Sequence, residues 1–151
     1  MKANLARKPQ GNDRAQVKAI WAGECDIAIG NNYYYGKMLN SEEQKAWADA
    51  VTPVFATFGN GGTHVNISGV ALTKHAPNRE NAIKMMEFLA SPAAQKIYAE
   101  ANFEYPVAPG VGPDPLVSSW GSFTADEVNL MDLAKLRPTA LRLIETVNFD
   151  G

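Results

Sequence analysis

Residues 25–36 of the chain have the sequence CDIAIGNNYYYG, a short apolar segment followed by two asparagines and three tyrosines. The segment from Cys25 to Gly30 is apolar, brief and closed by glycine, which predicts a buried strand. Helical patterns lie on both sides of it, and strands that alternate with helices are typical of an α/β fold with a partly parallel sheet. The stretch therefore predicts an α/β protein in which a tyrosine-bearing loop follows a strand.

Local capping signals predict where several helices begin. Asn12 can cap a helix whose apolar residues share one face up to Trp21, and Gly23 is suited to end it. Ser91 and Pro92 form a second start signal, because serine caps and proline is tolerated in a first turn. Further strands are predicted over residues 54–58 and 65–72, and further helices over residues 41–50, from 78 or 79 to about 90, and 124–146 with an interruption at Pro138.

The composition excludes several classes of protein. The chain has 151 residues, of which 46% are apolar and 20% charged, as in globular domains. With 14 basic and 16 acidic residues its net charge is −2, which argues against a nucleic-acid-binding domain. Cys25 is the single cysteine, so an intrachain disulfide or a zinc site of several cysteines is excluded. Apolar runs are too short for a membrane span, and the N-terminal stretch has no apolar core of a signal peptide.

The tyrosines after the predicted strand are the most specific candidate for a functional site. In open α/β sheets, ligand sites collect beyond the carboxyl ends of strands. An ionised phenol oxygen is a hard donor, and a trivalent cation such as ferric iron can drive that ionisation. A turn can aim adjacent phenols at one point, whereas strand alternation would separate them. Consecutive tyrosines also commonly cover an apolar surface, and the residues alone leave both interpretations open.

No enzyme signature emerges from the rest of the chain. Ser118 and Ser119 lack the surrounding glycines of a nucleophile elbow, and no Ser-His-Asp set can be assembled. His64 and His75 have no carboxylate companion at metal-ligand spacing, which favours loop or surface histidines. The sequence therefore predicts a protein that is not an enzyme.

Several motifs resemble, in order, the C-terminal half of a known family. Together they are similar to the bacterial periplasmic ferric-iron-binding proteins, the solute receptors of iron ABC transporters. The resemblance covers Asn4 to about Phe149, and its most specific parts are the tyrosine pair and the Ser-Pro-x-Ala-Gln turn. The motifs are PQGNDR at residues 9–14, GECDIAI at 23–29, NYYYG at 32–36, GTHVNISGVAL at 62–72 and FLASPAAQ at 88–95.

The resemblance implies a fold, a ligand and site residues. The fold is the type II periplasmic binding protein, here incomplete, with iron held between two lobes. Tyr33 and Tyr34 match the tyrosinate ligands of Fe³⁺, and Tyr35 matches a packing position. Asn31 and Asn12 match positions near a synergistic anion such as carbonate. In the family the other half of the protein contributes the remaining ligands.

The resemblance also implies an organisation and partners. Residues 1–64 belong to the C-terminal lobe, residues 65–110 to the hinge strand and the helices of the other lobe, and residues 111–151 to helices that return to the first lobe. The full-length parent is expected in the periplasm, where it delivers iron to an ABC transporter permease. Half of each lobe's core is absent from this chain, so exposed apolar surface predicts self-association.

Two other functions stay open at this point. The chain could belong to a type II solute-binding protein for another anion or a small organic ligand, because fold alone does not fix the ligand. It could also be a small intracellular α/β interaction domain in which the tyrosines are core residues and no metal binds. The three hypotheses differ in whether ferric iron produces a visible absorption band.

Overall fold

The computed structural model of the chain describes residues 2–59 and 61–149. Within these residues the regular secondary structure is helical, apart from an isolated parallel bridge between Thr63 and Ala125. No helix there is both long and apolar enough to cross a membrane. The elements are a 3-10 turn at Lys2–Asn4, α1 (Asp13–Trp21), α2 (Asn32–Leu39), α3 (Lys45–Asp49), α4 (Arg79–Leu89), α5 (Pro92–Asn102), α6 (Pro115–Ser118) and α7 (Leu130–Thr146).

The three segments predicted as strands carry no ladder in the described residues. Each segment has a largely exposed apolar side chain, with Ile27 at 85%, Val54 at 81% and Ile67 at 61%. A strand forms only when a second segment supplies backbone donors and acceptors, whatever its own propensity. The segments thus have the composition of strands without a paired neighbour. The structure is mostly helical, and the α/β class is not confirmed.

The tyrosines lie in a helix, so the expectation of a loop at this point is wrong. Asn31 has extended backbone angles at the N-cap of α2, and Tyr33, Tyr34 and Tyr35 occupy its first turn. Aromatic residues are modest helix formers, but packing of one helix face overrides such preferences. Met38, fully buried on α2, supplies that packing where α2 meets α1 and α3.

The first of two compact units comprises the described residues up to His64 and from Phe123 onward. Helices α1, α2 and α3 pack together around Ala19, Met38 and Ala48, which are all buried. In the same unit, Gly62 is buried directly against the backbone of residues 125 and 126. The starts of α1 and α2 are in contact through Asp13 and Asn31, and these starts carry the candidate site.

The second compact unit is Val65–Ser122 and contains α4, α5 and α6. Ser91 caps α5 through its hydroxyl, which accepts from the Ala94 amide at 3.4 Å, as the Ser-Pro signal predicts. Gln95 ties neighbouring segments to this helix: its amide donates to the Leu89 carbonyl and its oxygen accepts from the Val107 amide. The Ser-Pro-x-Ala-Gln turn therefore has a structural role within this unit.

Two predicted helices differ in extent from those observed. Over residues 41–50 only α3 is helical, because residues 42–44 form a turn on the Ser41 carbonyl. Helix α7 begins at Leu130 and continues through Pro138 without ending there. The assignment of residues 1–64, 65–110 and 111–151 to lobes stays a prediction, and Met1, Asn60, Asp150 and Gly151 lie outside the described residues.

Candidate metal centre

The candidate centre is built on the first turn of α2. Asn31 precedes the helix, and its side chain makes no capping bond to it. Tyr33 and Tyr34 follow at the second and third helical positions, both partly buried. Gly36 and Met38 on the same helix are buried, so the packed end of α2 anchors the turn that carries the two phenols.

The phenol rings of Tyr33 and Tyr34 lie beside each other. Their centroids are 4.3 Å apart and their planes are inclined by 34°. Consecutive residues of a helix point about 100° apart, so this approach of two neighbours depends on their side-chain rotamers. Two phenols in this arrangement form a compact pair that could supply two hard oxygen ligands to one trivalent cation.

Two positively charged side chains face the ring pair. The guanidinium carbon of Arg14 lies 5.7 Å from the Tyr34 ring centroid, and Lys37 Nζ lies 5.5 Å from that of Tyr33. Both distances are in the range of cation–π contacts. The Arg14 Nε is buried and has no hydrogen-bond partner among the described residues. The local charge beside the rings is therefore positive, which favours anionic oxygen at this position.

Tyr35 has a different environment from its two neighbours. Its hydroxyl donates to the Val51 carbonyl at 3.4 Å. Burial raises the pKa of Tyr35 above its ordinary value of 10.0, and the Asp49 carboxylate raises it further while Lys45 opposes the shift. These contacts direct Tyr35 toward the segment after α3, in line with a packing residue.

The two residues predicted near an anion lie at the starts of two helices. Asn12 caps α1, and its side-chain oxygen accepts from the Ala15 amide at 3.2 Å. Asn31 donates to Oδ1 of Asp13 through its backbone N–H at 2.6 Å and through Nδ2 at 2.9 Å. The residue next to Asn12 thus contacts Asn31, and the starts of α1 and α2 meet at Asp13.

Three residues of the candidate centre were not predicted from the sequence: Arg14 and Lys37, which face the ring pair, and Asp13, which contacts Asn31. Asp13 and Arg14 belong to a helix predicted correctly, but nothing local indicates that they reach α2. Lys37 lies one helical turn after Tyr33, a spacing that places two residues on one face of a helix. This spacing could have identified Lys37 as a neighbour of Tyr33, but only if residues 32–39 had been predicted as a helix.

The sequence predicts that both histidines are loop or surface residues. His64 Nδ1 is 3.2 Å from Oδ2 of Asp126, a carboxylate whose side chain is only 6% exposed. His75 is exposed. Among residues 2–59 and 61–149, no three His, Cys, Asp or Glu side chains gather where they could hold a metal ion.

Comparison with known proteins identifies the family of the chain. Residues 2–96 match the family described as bacterial extracellular solute-binding protein, and the chain belongs to that family. Solute-binding proteins are not enzymes, which confirms that prediction from the sequence.

Several similar proteins carry names that refer to iron. Iron uptake protein A2 of Synechocystis sp. is 43% identical over 150 residues, which is 97% of this chain and 43% of the relative. Apo ferric ion-binding protein A of Pasteurella haemolytica is 54% identical with a TM-score of 0.95, over 99% of this chain and 47% of that structure. The Trichodesmium IdiA/FutA protein, solved with iron and citrate ligands, is 46% identical with a TM-score of 0.86, over 97% of this chain and 47% of that structure.

These comparisons confirm the resemblance found in the sequence. They also show its extent, since the chain spans slightly less than half the length of these relatives. The neighbours are ferric-binding members of the solute-binding proteins, so the fold resemblance covers one part of such a protein.

Proposed function

We propose that the chain forms part of a ferric-iron receptor of an ABC transporter, and that Tyr33 and Tyr34 bind Fe³⁺ through their phenolate oxygens. The observation that carries the proposal is the ring pair at 4.3 Å in the first turn of α2. Relatives that are named iron uptake or ferric ion-binding proteins, at 43–54% sequence identity, support the proposal. Binding here means capture and release of iron, with no chemical change of the ion.

The remaining parts of the proposal concern the anion, the location and the partner. A synergistic anion such as carbonate completes the ferric coordination next to Asn31 and Asn12, at the starts of α2 and α1. The whole receptor works in the periplasm and delivers iron to a permease. Closure of the whole receptor around iron signals the permease.

The chemistry of the ring pair supports iron over a neutral ligand. Phenolate is a hard anionic donor that suits a trivalent cation, and Arg14 and Lys37 offset the negative charge that phenolates and an anion bring. Protons compete with Fe³⁺ for the phenolate oxygens, so iron binding weakens as the pH falls. A neutral organic ligand would show no such dependence on these phenols.

A visible spectrum tests the proposal on the chain itself. Addition of ferric citrate is expected to give a phenolate-to-iron absorption band, and this band should be lost in the Tyr33→Phe, Tyr34→Phe double variant. Tyr35→Phe is the matched control and should keep the band, because Tyr35 bonds to Val51 instead. A wild-type chain without a band, or a double variant that binds ferric iron as well as the wild type, would overturn the proposal.

A further inference from the structure

The carboxylate of Asp13 occupies the polar donors of Asn31. One oxygen, Oδ1, accepts both from the Asn31 backbone N–H at 2.6 Å and from its Nδ2 at 2.9 Å. The approach is close enough that a Cβ at Gly30 would lie 3.4 Å from the same oxygen. Asp13 lies in the first turn of α1, where the helix dipole stabilises a negative side chain.

Two N–H donors that converge on one anionic oxygen are the arrangement that binds a free oxyanion. Charge-assisted bonds of this kind are short and stronger than bonds between neutral groups. An external carbonate or phosphate that uses Asn31 must therefore displace a carboxylate already bonded there. It must also approach a fixed negative charge at a few ångströms, which is unfavourable even when water screens the interaction.

We propose that Asp13 is a built-in anion of the centre, and that its carboxylate competes with an external oxyanion for the N–H donors of Asn31. This competition determines how strongly the centre depends on an external oxyanion. The inference rests on the proposed function, in which Asn31 lies next to the ferric ion. It adds that, in the absence of iron, the wild-type chain binds an external oxyanion weakly at Asn31 while the Asp13 carboxylate is in place.

A purely structural role for Asp13 makes a different prediction. In that case its bonds only join the starts of α1 and α2, and removal of its charge would bring no gain in anion binding. Asp13→Asn separates the two roles, because the amide oxygen can still accept from the Asn31 backbone while the negative charge is gone. Asp13→Ser is a second neutral variant that suits the start of a helix.

The test is an anion titration of the iron-free chain. Inorganic phosphate is added at constant ionic strength to ¹⁵N-labelled protein, and the backbone and side-chain amide signals of Asn31 are followed by NMR. The dissociation constant at Asn31 should be lower by about tenfold in Asp13→Asn than in the wild type. Asp132→Asn is the matched control, since Asp132 lies in the first turn of α7 and pairs with Lys135; its phosphate binding should equal that of the wild type.

Two results would overturn the proposal. One is a folded Asp13→Asn or Asp13→Ser chain that binds phosphate at Asn31 no more tightly than the wild type. The other is wild-type binding at Asn31 with a dissociation constant below about 0.1 mM, which a resident carboxylate would prevent. The titration contains no iron, so its results do not depend on the visible absorption band of the ferric-loaded chain. Absence of that band would overturn the proposed function, whereas the two results above would overturn only the proposal for Asp13.

Discussion

Three neighbouring tyrosines differ in role because a helix turns them in different directions. Tyr33 and Tyr34 form a ring pair beside two cations, whereas the hydroxyl of Tyr35 reaches the Val51 carbonyl. From composition alone, the three tyrosines cannot be distinguished as candidate ligands. Their contacts therefore differ residue by residue, and the proposed assignment of Tyr33 and Tyr34 as ligands and of Tyr35 as a packing residue rests on that difference.

Tyr35 should make stability fall at alkaline pH. Its pKa in the folded chain lies above the ordinary value of 10.0, chiefly because of burial. A raised folded-state pKa means that the stabilisation is fully present below the unfolded value and is lost as the pH rises through the folded value. Urea unfolding of the wild type from about pH 8 to 11 should show this loss, and Tyr35→Phe should show less of it.

The Tyr35→Phe variant also has a cost at neutral pH. It removes a hydrogen bond, which lowers the free energy of unfolding by about 0.5–1.5 kcal/mol. Tyr98→Phe, at an exposed position, is the control and should lower the free energy of unfolding at neutral pH by less than Tyr35→Phe does. Equal alkaline losses in Tyr35→Phe and the wild type would contradict the assignment.

Gly62 is expected to tolerate no side chain. A Cβ there would lie 2.4 Å from the Asp126 amide nitrogen and 2.6 Å from the Ala125 carbonyl carbon, and backbone cannot move aside cheaply. Gly62→Ala should lower the free energy of unfolding by about 1–3 kcal/mol. Gly69→Ala, where nothing lies within 4 Å, should change it by less than about 0.5 kcal/mol, and equal effects in the two variants would contradict this account.

The sequence identified the tyrosine pair as a candidate but gave no indication of Asp13. Adjacent tyrosines are visible as a local pattern, and the family resemblance selects two of them. The contact from Asp13 to Asn31 joins residues 18 positions apart, and it depends on how α1 packs against α2. A pattern within one element carries no information on such a contact, so the polar surroundings of the centre could not be predicted.

Among the elements, the starts of α1 and α5 were predicted correctly, whereas the predicted strands were not observed in the described residues, and one physical reason accounts for the difference. The Asn12 cap of α1 and the Ser91-Pro92 start of α5 are bonds within a few residues. A strand needs a partner that is distant in sequence, and the apolar segment that contains Ile27 and Ile29 has no ladder in the described residues. Local chemistry thus determines the helices, while the sheet depends on long-range pairing.

The cap of α1 should contribute measurably to stability. Asn12 Oδ1 accepts from the Ala15 amide, so Asn12→Ala is expected to lower the free energy of unfolding by about 1 kcal/mol. Asn78→Ala is a matched control, because Asn78 is the N-cap of α4 and makes no side-chain capping bond. Chemical denaturation should give a smaller loss for the control, and the reverse order would contradict the assignment of the cap.

The exposed apolar segments have a consequence for the whole molecule. Ile27 and Ile29 are 85% and 83% exposed, and contiguous exposed apolar surface favours association. We propose that the isolated chain self-associates through this segment. Sedimentation velocity should show species larger than a monomer that grow with concentration, and the Ile27→Ser, Ile29→Ser double variant should shift them toward the monomer.

The control for association is an exposed apolar residue on a helix. Leu136 is 60% exposed on α7, where the backbone bonds within the helix and offers no edge to a second chain. Leu136→Ser should leave the association unchanged. A wild-type chain that stays monomeric at all concentrations would contradict the proposal.

Ligation of Fe³⁺ by the two phenolates is the central claim, and resonance Raman spectroscopy tests it most directly. Excitation within the visible band of the ferric-loaded chain enhances vibrations of the groups bound to iron. If both phenolates bind iron, the enhanced spectrum should contain tyrosine ring modes. These modes should shift when the protein carries ring-deuterated tyrosine and should disappear in the Tyr33→Phe, Tyr34→Phe variant. Enhanced modes that do not respond to tyrosine labelling, or that persist in the double variant, would contradict it.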